Sequence, residues 1–247
     1  MAHLYIADSL VETAVDSRVM LTGAEARHAA GVSRLRVGES VLLTNGRGLL
    51  VEAEALAVSK DSIEFAVQSV QNVVAPSIEV TLVQALAKGD RDERAIEMAT
   101  ELGVTRIIPW QATRSVSRWD AQKAVKGRER WSAIVREASK QAIRAWIPSV
   151  DEPMSTADLV STNFEGLTMV LDPSGSISIS AVLTVSRAQA ERGIRIVVGP
   201  EGGLTPEEVN SLAEKGAAII GLGVIILRTS TAGPAAIAVV NEILRRW

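Results

Sequence analysis

The stretch Ile194-Arg-Ile-Val-Val-Gly-Pro-Glu-Gly-Gly-Leu-Thr-Pro-Glu-Glu-Val209 leaves the backbone few courses. Ile194, Ile196, Val197 and Val198 form a β-branched run that suits a strand buried on both faces. Gly199-Pro200-Glu201-Gly202-Gly203 then stops the strand. Its two adjacent glycines let the backbone take positive φ and approach a ligand closely. A helix is expected at once: Thr205 is placed to cap, Pro206 falls at the first helical position, and Glu208 completes a Thr-x-x-Glu capping box. A tight loop therefore lies at the carboxyl end of a buried strand, where open α/β sheets bind ligands. An ordinary β-to-α turn would carry the same residues, so the stretch alone predicts a fold and not a function.

The rest of the chain reads as two parts. Residues 1–73 are expected to be β-rich. Val41–Thr44 and Leu50–Leu56 flank Asn45-Gly46 and Gly48, a hairpin signal, and Ile63–Val67 alternates as a half-buried strand does. Thr22 to Ala30 reads as a short capped helix, and Asn72-Val-Val-Ala-Pro76-Ser as a linker. From residue 74 onward strands alternate with helices. Strands are expected at Ile78–Leu86, Thr105–Trp110 and Leu167–Leu171. A helix with Asp90 as its cap and Ala95, Met98, Ala99 and Leu102 on one face ends near Gly103. A long helix spans Arg128–Ala145, with Trp131 on its apolar stripe and so in the core. Another spans Ile179–Arg192, and Gly233-Pro234 opens the last, with Ile237, Val240, Ile243 and Leu244 on one face.

Composition narrows the function classes. With no cysteine and only two histidines, the chain has no disulfides or thiolate metal sites, and no metal is expected. The start shows no basic-then-apolar leader and no apolar run approaches a membrane span, so a cytoplasmic protein is expected. The net charge of −3 is unevenly spread: residues 1–75 hold 6 Lys+Arg and 9 Asp+Glu, whereas residues 88–144 hold 13 and 8. A basic segment of that kind suits phosphate contacts, and equally a solvated helical surface.

A second stretch, Ala217 to Ala232, again runs strand, glycine-bearing loop, polar turn and helix. Gly199 to Gly203, Leu222-Gly223, Leu227-Arg228-Thr229 and Thr231-Ala232 together resemble the cofactor loops of the SPOUT class of RNA methyltransferases. Within it they are similar to the ribosomal RNA small subunit methyltransferase E family. Three further segments carry the resemblance: Lys88 to Arg91 with Thr100 to Gly103, Glu137 to Gln141, and His28, Arg34 and Gly38 near the amino terminus. The resemblance implies an α/β fold: an amino-terminal PUA-like β-barrel over residues 1–73, then a SPOUT domain with a deep trefoil knot over 74–247. It implies S-adenosylmethionine-dependent methylation of uridine N3 in 16S rRNA (U1498 in conventional rRNA numbering), on the 30S subunit. It also implies a homodimer built with the last helix.

On the same basis, cofactor binding falls to Leu171, Asp172, Gly199, Glu201, Gly202, Leu222, Leu227 and Thr231. Arg228, beside the cofactor loop, is the candidate catalytic cation for negative charge developing on the uracil oxygens, or else pairs with a carboxylate to fix the loop. RNA contacts fall to Arg34, Arg114, Arg118, Arg136, Gln141 and Arg144, with His28 read as a surface histidine. Glu201 is the nearest base in sequence but is read as bracing its loop. The chain departs from the family where Ile225 replaces a common Arg and Ser230 a common Glu, which puts any role of that Glu in doubt. Two other readings stay open: a knotted ribose 2′-O-methyltransferase, and a non-catalytic ribosome-assembly factor that only binds RNA. The intact glycines at 199, 202 and 203 speak against the second.

Overall fold

The structure, a computed structural model, describes residues 3–247. The chain forms two compact units, one comprising the residues up to Ala75 together with Ser139–Ile147, the other Pro76–Ala138 and Pro148–Trp247.

In the first unit, strands β1 (Leu4–Ile6), β2 (Arg18–Thr22), β3 (Ser40–Thr44), β4 (Leu49–Val58) and β5 (Ser62–Asn72) form a sheet of order β1-β3-β4-β5-β2. Only β1 and β3 run parallel. Two register shifts in β4, at Glu52/Ala53 and Ala55/Ala57, bend the long β4–β5 ladder. Helix α1 (Gly23–Arg27) runs into a wider turn over His28–Val32, and Thr22 stands at its cap without a side-chain bond. Tyr5, Leu21, Leu43, Val51, Ile63 and Phe65 fill the core. The hairpin lies where Asn45-Gly46 marks it. The side chains of Thr44 and Asn45 accept the N–H groups of Gly46 and Arg47, at 3.0 and 2.8 Å, and so close the turn.

The second unit is built on a parallel sheet. In chain order its strands are β6 (Val80–Ala85), β7 (Arg106–Gln111), β8 (Ser149–Val150), β9 (Met154–Ser155), β10 (Leu167–Leu171), β11 (Ile194–Val198) and β12 (Ala218–Ile220). The spatial order is β12-β10-β11-β6-β7-β8, with β9 also on β7. Every residue of β6 and β11 is buried, which explains their near-continuous apolar sequence. The order reverses where β11 slots between β6 and β10, so the carboxyl ends of β10, β11 and β12 open onto a switch point.

The helices depart from expectation in several places. Helix α2 (Arg91–Glu101) has Asp90 at its cap, but Asp90 sits at φ 60 and makes no capping bond. Its carboxylate pairs with Arg94 instead, and Asp92 accepts the Ala87 N–H at 3.0 Å. Helix α3 (Ala121–Gln141) begins seven residues before Arg128 and ends before Ala145, because Ile143 turns left-handed at φ 51. Trp131 is buried, edge-on to Trp119 at 5.4 Å. After α4 (Thr156–Ser161), the helix expected over Ile179–Arg192 breaks at Ser186 into α5 (Ile179–Val185) and α6 (Arg187–Ala190). Helix α7 (Pro206–Glu214) follows β11 with the full Thr205–Glu208 capping box. The last helix, α8 (Thr229–Leu244), starts four residues before Gly233, so Pro234 lies inside it. Gly233 is a packing residue: a Cβ there would stand 2.9 Å from Leu82 Cδ1 and 3.2 Å from Val198 Cγ2, so its bare backbone lets α8 lie close on β6 and β11. Ile237, Val240 and Leu244 are buried on that face. Among the described residues no helix is long and apolar enough to cross a membrane.

Candidate active site

Three loops meet at the carboxyl ends of β10, β11 and β12. The first, after Leu171, and the third, after Ile220, touch backbone to backbone. Asp172 N–H donates to Ile220 O at 3.1 Å, and Gly221 N–H donates to Ile177 O at 3.2 Å. Nothing larger than glycine fits the crossing: a Cβ on Gly175 would stand 2.5 Å from the Ile220 carbonyl carbon, and one on Gly221 would stand 2.3 Å from Gly175 O. Asp172 itself closes an Asx turn, accepting the Ser174 N–H at 2.9 Å and hydroxyl at 2.6 Å.

The second loop is braced from three sides. Gly203 takes φ 68, and its N–H donates to Pro200 O at 2.9 Å. Glu201 Oε1 accepts the Lys88 N–H at 3.0 Å and pairs with Arg91 Nη1 at 2.8 Å. Burial alone pushes the Glu201 carboxyl up. Its own N–H, the Lys88 N–H and the Arg91 guanidinium outweigh that and hold it below the usual range. Arg114 Nη1 donates to Gly202 O and Leu204 O, each at 3.1 Å. Glu208, buried at the start of α7, accepts the Thr205 N–H at 3.0 Å and the Thr113 N–H and Thr156 hydroxyl at 2.8 Å. Burial again pushes this carboxyl up, and the Thr113 and Thr205 N–H groups and Thr156 hydroxyl overcome it.

Helix α8 is pinned to this loop. The Thr229 hydroxyl donates to Gly199 O at 2.7 Å and accepts from Gln84 Nε2 at 2.9 Å. Gln84 is the penultimate residue of β6 and is fully buried, so its amide needs a partner, which Thr229 supplies.

Between the loops lies a cavity of about 390 Å³, within the ~300–1,000 Å³ of small-molecule sites. Leu171, Asp172, Gly199, Glu201, Leu227 and Arg228 line it, with Arg91, Pro173, Val198, Gly203, Leu204, Ile226, Thr229 and Ala232. An adjoining hollow of about 70 Å³ adds Leu222, Gly223 and Ile225. Two residues singled out from the sequence are not on these walls: Gly202 is exposed with its carbonyl bound by Arg114, and Thr231 faces solvent one turn into α8. Gly203 and Thr229 line the cavity in their place. Arg228 is exposed at the cap of α8, and among the described residues its guanidinium has no ion pair or hydrogen bond. Ile225, where the family commonly has Arg, is 74% exposed between Val224 and Ile226, which are also exposed.

The residues expected to contact RNA are dispersed. Arg114 and Arg118 share the loop after β7, where Arg118 Nη2 donates to Thr113 O at 3.0 Å. Arg136 is half-buried on α3, and Gln141 is exposed at its end. Arg144 is half-buried, and Arg34 is exposed at φ 55. Arg91 and Thr229 lie in segments that carry the family resemblance but were given no site role, and Gln84, Thr113, Thr156 and the Gly175–Gly221 crossing were not anticipated. Each acts through a contact between segments far apart in the chain.

Residues 74–241 match the RNA methyltransferase domain model, and residues 21–68 match the RNA methyltransferase PUA domain model. The chain is 37% identical over 252 residues to the ribosomal RNA small subunit methyltransferase E of Mycobacterium bovis, with 100% of this chain and 94% of that protein covered. To the protein of the same name from Bacillus subtilis it is 36% identical, with 91% of each covered. The crystal structure of a ribosomal RNA small subunit methyltransferase E from Neisseria gonorrhoeae, bound to S-adenosyl methionine, superposes with a TM-score of 0.86 at 27% identity over 98% of both chains. The α/β class with a PUA-like first domain and a SPOUT-type second domain is the fold found. A matching domain model over most of the chain, relatives similar along its whole length and a three-loop cavity at the switch point lead to one statement: the chain belongs to the ribosomal RNA small subunit methyltransferase E family of RNA methyltransferases.

Proposed function

We propose that this protein transfers the methyl group of S-adenosylmethionine to N3 of a uridine in 16S rRNA of the 30S subunit. The observation that carries the reading is the 390 Å³ cavity at the ends of β10, β11 and β12, with an unpaired arginine on its wall. The lining fits the cofactor: Leu171, Pro173, Ile226, Leu227 and Ala232 offer apolar faces for a flat base, while the loop backbones and Asp172 offer polar edges. Leu171, Asp172, Gly199, Glu201, Leu222 and Leu227 would hold it, with Gly202 and Thr231 acting through the shape of their loops.

Bound there, S-adenosylmethionine supplies a methyl group already activated on a sulfonium, so the chain has mainly to position, exclude water and manage charge on the acceptor. Uracil N3 becomes a nucleophile as its proton leaves, and negative charge spreads to the flanking ring oxygens. Arg228, on the wall and unpaired, is the residue to stabilise that charge. Glu201, held ionised by Lys88 and Arg91, braces the loop and is a poor proton acceptor.

Arg34, Arg114, Arg118, Arg136, Gln141 and Arg144 would contact RNA, with residues 1–73, joined by the returning segment Ser139–Ile147, as the RNA-binding domain and the rest of 74–247 as the methyltransferase domain. The reading carries a trefoil knot, supported by the crossing of the first and third loops at Gly175 and Gly221. It also carries a homodimer, supported by the exposed Val224-Ile225-Ile226 tip and Val239 on α8. A cytoplasmic location follows from the substrate. The test is to incubate the protein with labelled S-adenosylmethionine and unmodified 30S subunits, digest the rRNA and identify the nucleoside. The expected product is 3-methyluridine; a 2′-O-methyl nucleoside or no product would overturn the reading.

A further inference from the structure

A second, smaller cavity of about 110 Å³ lies in the first unit and shares no lining residue with the methyl-transfer cavity. Its walls include His3, Tyr5, His28, Ser33, Lys140 and Gln141. Tyr5 is 2% exposed, yet its hydroxyl has no hydrogen-bond partner among the described residues; Ser33 lies near it without making one of acceptable geometry. A buried hydroxyl left unpaired costs about 1–3 kcal/mol, and such a group in a cavity wall points to an absent partner. The His3 and His28 rings stand 6.3 and 6.4 Å from the Tyr5 ring, one tilted by 30° and the other edge-on. Burial pushes the Tyr5 phenol above its ordinary range.

The charge in this cavity is already matched. Lys140, 7% exposed, pairs with Glu25 at 3.1 Å, and Glu25 also accepts the Ile6 N–H at 3.3 Å. A phosphate would need an uncompensated cation, and the buried lysine does not offer one. What the walls present is ring faces, an amide that donates and accepts, and an unsatisfied hydroxyl, which is the chemistry that reads the face and edge of a splayed-out base. The volume is far below the ~300–1,000 Å³ of drug-sized sites and suits a single flat heterocycle. Arg34 follows Ser33 in the chain and is exposed, on hand for the neighbouring phosphate.

We propose that this cavity receives one unstacked base of single-stranded RNA, anchoring the substrate at a position other than the methylated uridine. The proposal rests on the reading of the protein as an RNA methyltransferase, and its test separates the two. Tyr5 is the only tyrosine, so growth on 3-fluorotyrosine places a single fluorine label in the full chain, against the cavity. Short single-stranded oligouridine and oligoadenosine are then titrated against it, beside an abasic strand and a duplex of equal length.

The expected result is that at least one single strand shifts the fluorine resonance while the abasic strand and duplex do not. In addition, Tyr5→Phe is expected to weaken binding of that strand about fivefold, the worth of one hydrogen bond, with S-adenosylmethionine affinity unchanged and the melting temperature raised, because the unpaired buried hydroxyl is gone. A resonance that stays put while RNA binds, an equal shift with the abasic strand, or an unaltered Tyr5→Phe affinity overturns the proposal. Methylation of 30S subunits without a resonance shift would sink the base site and leave the enzyme reading standing. A shift without methylation would do the reverse.

Discussion

Arg228 and Gly175 show how much can turn on one residue here. Arg228 is the unpaired cation on the cavity wall, and removing one preorganised charge partner of a developing anion typically costs 10²–10³ in rate. Arg228→Ala should therefore lower kcat by about 10²-fold while leaving cofactor affinity nearly intact, since its guanidinium braces nothing among the described residues. Single-turnover methylation and calorimetric cofactor binding would check this; a matching loss in both would assign Arg228 to cofactor binding instead. Gly175→Ala is expected to act the other way. The new Cβ would meet backbone at 2.5–2.7 Å, which no rotamer can relieve, so the first and third loops must part. Cofactor affinity should fall by at least about tenfold, an effect of ~1.4 kcal/mol, and an unchanged Kd would show that the crossing does not shape the site. Neither glycine of the crossing stood out in the sequence. The glycines at 199, 202 and 203 did, because they sit in one short run, whereas Gly175 and Gly221 are informative only as a pair.

At the scale of elements, the start of helix α7 was legible and that of helix α8 was not. The Thr205-Pro206-x-Glu208 signal is local, and the structure has the cap, the proline and the box where that signal puts them. Glu208 also ties in Thr113 and Thr156, and that tertiary function has no local signature. Glu208→Ala should cost about 2–4 kcal/mol, combining a lost cap with buried donors left unpaired, as read from urea denaturation. The pH dependence follows from the sign of its shift. A carboxyl held below its unfolded value binds fewer protons when folded, so its stabilisation is present above the unfolded value and is lost as pH falls through the folded one. Glu201 acts in the same sense, while burial pushes Asp92 up and offsets part of it. Acid unfolding of Glu208→Gln should accordingly be less steep below about pH 4.5; an acid limb parallel to the parent's would refute this assignment. For α8, the Gly233-Pro234 pair pointed to a helix start, but Thr229 is held by Gly199 and Gln84, and those bonds begin the helix earlier. The end of α3 was misplaced for a similar reason: a β-branched residue at φ 51 carries no signal in sequence, and only packing can sustain it.

For the whole molecule, the first unit is not a continuous stretch of chain. Ser139–Ile147 completes it: Gly48 N–H donates to Ala145 O at 2.9 Å, Ile147 N–H donates to Gly46 O at 3.0 Å, and Trp146 Nε1 donates to Val73 O at 2.8 Å. The hairpin loop glycines are matched to these partners, since a Cβ on Gly48 would stand 2.6 Å from the Trp146 ring. A fragment of residues 1–75 should therefore lack a cooperative thermal transition by circular dichroism, although its strands are all present. A sharp transition for that fragment would show that the returning segment is dispensable.

The sequence was enough to define the alternation of strands and helices from residue 74, the buried central strand, the capped helix after it and the glycine-rich turn between them. These depend on periodicity, capping chemistry and conformational freedom, which act over a few neighbouring residues. The resemblance to a known family extended that reading to chemistry. It took the folded chain to bring Leu171, Gly199 and Arg228 around one cavity, to seat Thr229 between Gln84 and Gly199, and to return Ser139–Ile147 to the first unit. These are contacts between residues 30 to 145 positions apart in several cases, and their energy depends on distances and burial that no local pattern encodes.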